Sequence, residues 1–436
     1  MSKDEAILEK AYFHALPPVI FEAYARVAAN KETPKGLLGV NRLGHRRRLV
    51  TPEDDEGSAR NQDTVYSAGF LDLSQGPVVI HKPYSTRFFN FLLLDAYGDF
   101  IDILGTGGVG GDDEKDYLIT TKSVSSSEYE VIVSPTTLLH VLVRIIVFHG
   151  TDSEYEEIRS LQDGITIDRL DGTTATDTEK YRVERDDELL KLGARKYVYS
   201  LSTEEVFNRF NKFVEKNPPK GEFGEQLKEL ERYGIGAQKT FSYQNLNEET
   251  ISKVKRLPEK FAAFESRPWK GARDINGWKV GPEMASLIGE DIIERVWMLM
   301  WGPGTNPARI AVYATAYKDS DGQELDGREN YVLHFQKGEL PPHKKGGFWS
   351  LITYTLPDMF LFDGKGKAII LNDRSDYNVN ADGSVDIYVG HKSPGAEEES
   401  NWIYVGEEAF QITARIYLPT EQVVNGNYKL PAVRRL

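Results

Sequence analysis

Apolar and polar residues alternate along two separate stretches of the chain with the period of β-strands. Between residues 346 and 436, short aromatic and β-branched runs such as GGFWSLITYT and FQITARIYLP are interrupted by Gly, Asp, Asn or Pro about every ten residues. This pattern is typical of antiparallel strands joined by tight turns. Strand-like runs begin again after Pro307, and we predict a β-sandwich at 307–436.

The second strand-rich stretch is predicted at residues 58–150. The sandwich or barrel pattern rests on seven apolar runs, which are TVYSAGFLDL, GPVVIHKPY, RFFNFLLLDAY, FIDILG, DYLITT, YEVIVS and LLHVLVRIIVF. The run RFFNFLLLD is almost continuously apolar. We therefore expect it to form a central strand that is covered on both faces.

Helical spacing dominates the rest of the chain. In the predicted N-terminal helical segment at 1–57, Pro17 and Pro18 interrupt the apolar pattern, which predicts two short helices. Residues 151–306 are predicted to be mainly helical, and Ser202 with Glu205 has the spacing of a capping box. The fold class is thus mainly β (α+β), with a helical region connecting two antiparallel β-sandwich domains.

Composition narrows the classes of partner. The formal net charge of −14 argues against a nucleic-acid-binding protein, which needs clustered Lys and Arg to displace phosphate counterions. The chain has no cysteine, so disulfides and thiolate chemistry are excluded. The N-terminal sequence lacks the pattern of a signal peptide, and no stretch approaches the roughly 18 apolar residues of a membrane helix. We expect a cytoplasmic protein with no membrane partner.

Several local patterns resemble binding motifs. The glycines at 105–110 fit G-x-G-x-x-G, but acidic residues and a strand-like run follow them instead of a helix, so we predict a hairpin loop. The basic run at 46–48 is interpreted as a solvated loop rather than an anion site. Asp319 and Asp321 resemble the start of a calcium loop, but its later Gly and Glu are missing, which favours a turn.

Histidine spacing gives no metal motif. The eight histidines form no H-x-H or H-x-x-x-H pair. His81, His140 and His334 lie in predicted strands and could still converge on a metal, although separate hydrogen-bonded histidines are the commoner arrangement. We assign no metal, and the sequence leaves the cofactor unknown. Motifs of serine hydrolases, zincins and P-loop proteins are also absent.

Longer motifs resemble a two-domain family of unknown function. RNQDTVYSAGFLDLSQGPVVIHKP followed by RFFNFLLLDAYGDFIDILGTGGVGG resembles the domain of unknown function numbered 1254. ELDGRENYVLHFQKGELPPHKKGGFWSLITY, NADGSVDIYV, SNWIY and FQITARIYLP resemble the domain numbered 1214. The resemblance implies two jelly-roll-like β-sandwich domains, an arrangement similar to the double jelly rolls of viral capsid proteins.

Polar residues that match the first domain's motif form the main candidate site. Asn61, Gln62, Asp63, Thr64 and Tyr66 lie together at the entrance of a predicted strand, where they can present a carboxylate, an amide and a phenol to one cavity. Asp63 is the candidate general base, and Tyr66 is the candidate acid or oxyanion donor. The alternative, a loop that hydrogen-bonds to itself, is the commoner outcome for such a cluster.

Further candidate binding residues match the motifs elsewhere. Arg87 and Arg415 lie in predicted strands, where a buried guanidinium needs a partner such as Asp95. Asn380 and Asp382 have a second interpretation as a turn, in which Asx side chains bind the local backbone. The complete set of additional binding candidates is Arg87, Asp95, Trp349, Asn380, Asp382, Trp402 and Arg415.

The leading hypothesis is an enzyme or small-molecule-binding protein with a polar pocket near residues 61–66 and an organic ligand of unknown identity. The first alternative is a structural assembly protein with a capsid-like architecture. The second is a carbohydrate-binding module, suggested by 22 Tyr and 6 Trp that could stack on sugars. In each case we expect a homo-oligomer, because sandwich faces and edges pair readily between chains.

Overall fold

Two β-rich regions and a helical layer make up the chain. The computed structural model describes residues 3–54, 59–263, 272–281, 291–302 and 304–436. The first β region (44–169) and the second β region (273–435) each contain a six-stranded sheet and a four-stranded sheet. In each region, residues of both sheets share one buried hydrophobic cluster. The predicted class, mostly β with additional helices, is confirmed at this level.

The N-terminal helix, α1 (Lys3–Ala29), runs without a break through Pro17 and Pro18. The prediction of two short helices is therefore wrong. A proline inside a helix removes a backbone hydrogen bond and costs about 3 kcal/mol. Both prolines are buried, and neighbours such as Leu16 and Ile20 belong to the largest hydrophobic cluster of the described residues. Burial of α1 along most of its length stabilises the continuous helix despite the two prolines.

The first β region contains all seven predicted strands. Its six-stranded sheet has the order β3-β4-β11-β6-β7-β8, and its four-stranded sheet has the order β10-β9-β5-β12. Every residue of β6 is buried between β11 and β7, which confirms the prediction of a central strand. The bounds, with those of the preceding short pair, are β1 Glu32–Thr33, β2 Gly36–Leu37, β3 Gly44–His45, β4 Thr64–Asp72, β5 Val78–Lys82, β6 Phe89–Asp95, β7 Phe100–Gly105, β8 Val109–Gly110, β9 Lys115–Thr120, β10 Glu130–Val133, β11 Leu138–Ile146, α2 Asp152–Asp163 and β12 Thr166–Arg169.

The glycines of the G-x-G-x-x-G pattern form a tight turn, but not the predicted hairpin, because β7 and β8 are parallel. The end of β7 pairs with the two-residue strand β8, and no helix begins at these glycines. Gly105, Gly107 and Gly110 all have positive φ, and a Cβ atom on Gly105 would lie 2.4 Å from the carbonyl oxygen of Phe89. Glycine is required here by backbone geometry rather than by a nucleotide.

Among the described residues between the β regions, five α-helices pack with α1. The predicted capping box is present, because Ser202 and Glu205 exchange hydrogen bonds at the start of α4. Apolar residues of these helices and of α1 share a cluster with one face of the first six-stranded sheet. The bounds are α3 Glu188–Ser200, α4 Thr203–Val214, α5 Gly221–Leu230, α6 Glu248–Val254 and α7 Leu257–Ala262.

The second β region repeats the arrangement of the first. Its six-stranded sheet has the order β13-β14-β15-β21-β17-β18, and its four-stranded sheet has the order β20-β19-β16-β22. Most neighbouring strands are antiparallel, but β19 and β20 are parallel, as are β9 and β10 in the first region. The bounds are β13 Arg273–Ile275, β14 Trp278–Val280, α8 Ile292–Trp301, β15 Ala311–Ala316, β16 Tyr331–Phe335, β17 His343–Thr355, β18 Ile370–Asn372, β19 Val385–Gly390, β20 Trp402–Tyr404, β21 Phe410–Pro419, α9 Glu421–Val424 and β22 Arg434–Arg435.

Both β regions extend beyond the boundaries predicted at 150 and 307. Strand β12 pairs with β5, and the hairpin of β13 and β14 pairs with β15. Among the residues with a described structure, no helix combines the length and apolar character needed to span a bilayer.

Candidate functional site

The two six-stranded sheets bring polar residues together on the faces that point away from their own sandwich cores. In β4, Val65 belongs to the core of the first β region, whereas Tyr66 lies on the opposite face because successive side chains alternate. In β21, Ile416 belongs to the second core, whereas Arg415 and Tyr417 lie on the opposite face. Hydrogen bonds join these two outer faces across the interface between the regions.

Asn61 connects the two β regions through its side-chain amide. Its Nδ2 lies 3.0 Å from Thr64 Oγ1, 2.9 Å from the Tyr66 hydroxyl and 2.8 Å from the Tyr417 hydroxyl. Its Oδ1 accepts a hydrogen bond from the Asp63 backbone nitrogen at 2.7 Å, which fixes the orientation of the amide. An amide has two N–H groups, so it donates to two of the three hydroxyls at once.

Arg144 lies beside Tyr66 because the two residues are paired in the β4–β11 register. Its guanidinium lies 5.5 Å from the centre of the Tyr66 ring. It donates to Asn306 Oδ1 at 3.1 Å and to the carbonyl of Gly304 at 2.5 Å, and Asn306 donates in turn to the Tyr313 hydroxyl at 3.1 Å. Arg144 is only 4% exposed, yet each of these hydrogen-bond partners is electrically neutral.

Arg415 is a second buried guanidinium on the opposite side of the interface. It is 5% exposed, donates to the carbonyl of Ala59 at 2.9 Å and lies 5.6 Å from the centre of the Tyr354 ring. Within the described parts of the chain, Arg415 Nη1 and Arg144 Nε have no hydrogen-bond partner. We refer to Asn61, Tyr66, Arg144, Arg415 and Tyr417 as the interface site.

The arginines change the acidity of the neighbouring phenols. Burial raises the pKa of Tyr66, but Arg144, hydrogen bonds from Asn61 and Thr64, and the charge of Arg415 outweigh it, so the pKa falls below the ordinary value of 10. For Tyr417, burial and the neighbouring phenols raise the pKa well above 10. Tyr66 is therefore the phenol of this pair that loses its proton first.

Asp63 belongs to a separate group of ion pairs at the same interface. It is fully buried; its Oδ1 accepts from Arg374 Nη2 at 2.7 Å, and its Oδ2 accepts from Ser350 Oγ at 2.5 Å. Arg374 also pairs with Asp373 at 2.7 Å and lies 5.0 Å from the centre of the Phe348 ring. We refer to Asp63, Ser350, Asp373 and Arg374 as the ion-paired cluster. Both oxygens of the predicted general base are thus already engaged.

Arg87 and Asp95 lie apart from these groups. Arg87 pairs with Glu154 at 2.5 Å and with Glu157 at 2.8 Å, so its predicted pairing with Asp95 is wrong. Asp95 accepts hydrogen bonds from the backbone nitrogens of Tyr97 and Asp99 in a turn. Burial, reinforced by the charge of Asp99, raises the pKa of Asp95 to about 7. The structure also provides no ion pair between Arg415 and Asp95.

The remaining candidates of the second β region are not brought to the interface site. Trp349 is buried in the second core, and the indole nitrogen of Trp402 donates to the carbonyl of Gly390 at 2.9 Å. Asn380 and Asp382 form the turn that the sequence suggested as their alternative role. Asp382 accepts from the backbone and hydroxyl of Ser384 at 2.9 and 2.6 Å.

The strand histidines have separate environments. His81 contacts Asp116 at 2.7 Å, His334 contacts Asp386 at 2.7 Å, and His140 stacks on Phe70 with ring centres 4.8 Å apart. No cluster of three metal-ligating side chains occurs among the residues that the structure describes. These three histidines therefore do not converge.

Several residues that complete the site were not among the sequence candidates. They share a position on outer sheet faces or on the loops beside them, and they are Arg144, Asn306, Tyr313 and Tyr354. One signal was present in FQITARIYLP, where every second residue is polar. That pattern suggests a solvent-facing side, but the whole strand is buried. A polar strand face that is covered by another region marks the interface.

Comparisons with known proteins agree with the two-region architecture. Residues 40–169 match the family described as "Protein of unknown function (DUF1254)", and residues 310–421 match "Protein of unknown function (DUF1214)". No curated protein shows significant similarity to the chain.

Two solved structures resemble the chain. The VPA0106 protein from Vibrio parahaemolyticus is 19% identical, with a TM-score of 0.67 over 100% of both chains. An uncharacterized protein from Burkholderia cenocepacia is 13% identical, with a TM-score of 0.48 over 98% of this chain and 87% of that one. The first comparison shows that the fold is shared with the Vibrio protein.

Proposed function

The chain belongs to the two-domain family of unknown function that joins DUF1254 to DUF1214, and from this premise we propose that it is an enzyme or small-molecule-binding protein whose site lies between its two β regions. The observation that carries the proposal is the presence of two buried guanidinium groups with unpartnered N–H donors, within the described residues, beside the Tyr66 and Tyr417 phenols. Convergent polar groups from two regions are characteristic of ligand sites.

Tyr66 is the proton-transfer group in this proposal. Its hydroxyl is held by Asn61, its pKa is lowered by Arg144, and its side chain keeps some exposed surface, unlike that of Asp63. Asp63 then has the role of an anchor between the β regions, because both of its oxygens are occupied. The organic ligand enters beside Tyr66 rather than beside Asp63.

The test compares two variants that each remove one phenolic hydroxyl. Purified protein is screened against a panel of small metabolites by thermal shift, and bound molecules are extracted and identified by mass spectrometry. Tyr66→Phe should bind the ligand about tenfold or more weakly, because a hydrogen bond to the ligand is lost. Tyr117→Phe is the control, since the Tyr117 hydroxyl donates to Val109 inside the first core. Equal binding by both variants would contradict the proposal.

A structural assembly protein is the second candidate. The pairing of a six-stranded with a four-stranded sheet in each β region favours it, since capsid-type jelly rolls are built from two sheets. The parallel pair Lys115–Thr120 with Glu130–Val133 departs from an antiparallel jelly roll. This candidate predicts large regular particles by light scattering, and a small closed oligomer would contradict it.

The remaining proposals concern carbohydrate binding, the oligomeric state and the location in the cell. A carbohydrate-binding module ranks last, because Trp349 and Trp402 are buried and cannot serve as stacking platforms for a sugar. We retain a small homo-oligomer in the cytoplasm, without a nucleic-acid partner, as the working proposal. Analytical ultracentrifugation tests the oligomer, and fractionation of the native cells tests the location.

A further inference from the structure

We propose that the interface site takes an anionic ligand, a carboxylate or a similar oxyanion, whose charged oxygens lie between Arg144 and Arg415. This inference rests on the proposed function and adds the chemical class of the ligand. It stands on the charges, burial and free donors of the described residues.

The first argument is the balance of charge at the interface. Arg144 and Arg415 each carry a positive charge and are more than nine-tenths buried. The described acidic groups nearby are Asp63 and Asp373; both contact Arg374, and the charge of Asp63 also acts on Arg415. The three arginines Arg144, Arg374 and Arg415 thus exceed these two carboxylates by one positive charge. A buried guanidinium with neutral partners keeps its charge uncompensated, which is costly in a low-dielectric environment. An anionic ligand would supply the missing negative charge.

The second argument is the number of hydrogen-bond donors without a partner. Arg144 Nε and Arg415 Nη1 lack partners among the described residues, although both atoms are buried. The hydroxyls of Tyr66 and Tyr417 lie within reach of an N–H of Asn61, which can only donate. Each phenol that accepts from Asn61 keeps its own O–H free to donate. The charges of Arg144 and Arg415 both act on the Tyr66 and Tyr417 phenols, and such a group of guanidinium and phenol donors is complementary to oxyanions.

The third argument comes from Arg87, a comparable arginine elsewhere in the chain. Arg87 is paired with Glu154 and Glu157, so its charge is compensated by the protein itself. The chain carries 67 acidic residues against 53 basic ones, so carboxylate partners are abundant. Arg144, by contrast, is 4% exposed and has only neutral hydrogen-bond partners among the described residues.

The direct test uses bromide, a simple anion that can bind at the interface site without the organic part of a ligand. Crystals of the full chain are soaked in sodium bromide, and the bromide ions are located by anomalous diffraction. We expect a bromide in contact with Arg144 Nε and Arg415 Nη1, at a position that binds no bromide in crystals of Arg144→Gln. Bromide at other surfaces but none at the interface site would overturn the inference.

Binding in solution distinguishes the anion from its neutral counterpart. Acetate and benzoate are compared with acetamide and benzamide at constant ionic strength, and inorganic phosphate distinguishes carboxylate from phosphate specificity. Arg144→Gln should weaken anion binding about tenfold to a hundredfold. Arg144→Lys, which retains the charge but lacks Nε, should lose less. Arg328→Gln is the control for net charge, since Arg328 is exposed and pairs with Asp326.

The outcomes separate this inference from the proposed function. If a neutral compound binds in a Tyr66-dependent manner and bromide is absent from the site, the proposed function holds and the anionic ligand is wrong. If bromide binds at Arg144 but no compound shows Tyr66-dependent binding, the anion site holds and the proposed function fails. Equal affinity for amides and carboxylates would also overturn the inference.

Discussion

The interface between the β regions contains two groups of buried polar residues that differ in how their charges are compensated. In the ion-paired cluster, Asp63 is bound by Arg374 and Ser350, and Arg374 is also bound by Asp373. In the interface site, Arg144 and Arg415 have only neutral hydrogen-bond partners among the described residues. In the proposed function, the ion-paired cluster holds the two regions together and the interface site binds the ligand.

Physical chemistry explains why this difference is informative. Moving a charge out of water is costly, and an internal partner of opposite charge offsets that cost. The ion-paired cluster follows this rule with partners from both regions. The interface site departs from it, and such departures from locally favourable packing occur mainly at functional sites. The following predictions measure the contrast between the two groups.

The largest expected effect is on stability after removal of Arg374. Arg374→Met leaves the fully buried carboxylate of Asp63 without its ion-pair partner, which should lower the free energy of unfolding by about 3–5 kcal/mol. Denaturant unfolding measures the loss. The double variant Asp63→Leu with Arg374→Met is the control and should recover much of it. A loss below about 1 kcal/mol would contradict the assignment of the ion-paired cluster as structural.

A smaller loss of stability is expected for Ser350→Ala. The variant removes the hydroxyl that donates to Asp63 Oδ2, a hydrogen bond to a charged group worth about 1.5–3 kcal/mol. The carboxylate retains Arg374, so the fold should persist with a lower midpoint of unfolding. Thr315→Val serves as a comparison, because Thr315 contacts Thr413 at 3.4 Å in the neighbouring strand pair. If Ser350→Ala lost no more stability than Thr315→Val, the hydrogen bond from Ser350 to Asp63 would contribute no more than an ordinary hydroxyl contact.

The strands of both sandwiches were predictable from the sequence because their side-chain alternation is local. Each of the seven runs of the first β region forms a strand, and the uninterrupted apolar run at Phe89–Asp95 is central. The Pro17–Pro18 break was predicted wrongly because local backbone preference opposes a helix there, whereas tertiary burial of Leu16 and Ile20 favours it. That burial depends on segments more than a hundred residues away along the chain.

The candidate site was predictable only in part, for the same reason. Asn61, Thr64 and Tyr66 are close in sequence and meet in the structure. Arg144 and Tyr417 join them through strand register and contact between the two regions, neither of which is encoded in local spacing. Asp63 illustrates the limit of motif-based assignment, since its carboxylate lies beside the candidate site but is occupied by ion pairs.

Removing Arg144 should cost less stability than removing Arg374. Because the described hydrogen-bond partners of Arg144 are neutral, Arg144→Met leaves no buried carboxylate behind, but it leaves Asn306 Oδ1 and the Gly304 carbonyl without this donor. We expect a loss of unfolding free energy of about 1–3 kcal/mol in ligand-free protein. The measurement is denaturant unfolding beside Arg374→Met under the same conditions. Equal losses for the two variants would remove the distinction between the two groups.

The smallest expected effect is on the pH at which the Tyr66 phenol ionises. Because its pKa in the folded protein lies below the ordinary value of 10, a pH titration followed by phenolate absorbance should show a component that ionises before the other tyrosines. Tyr66→Phe should abolish this component, and Arg144→Met should move it to higher pH. The folded state releases this proton more readily than the unfolded state. The associated stability is therefore absent at low pH and increases as the pH rises from the folded pKa toward 10. An early component that persists in Tyr66→Phe would place the acidic phenol elsewhere and remove Tyr66 as the proton-transfer group.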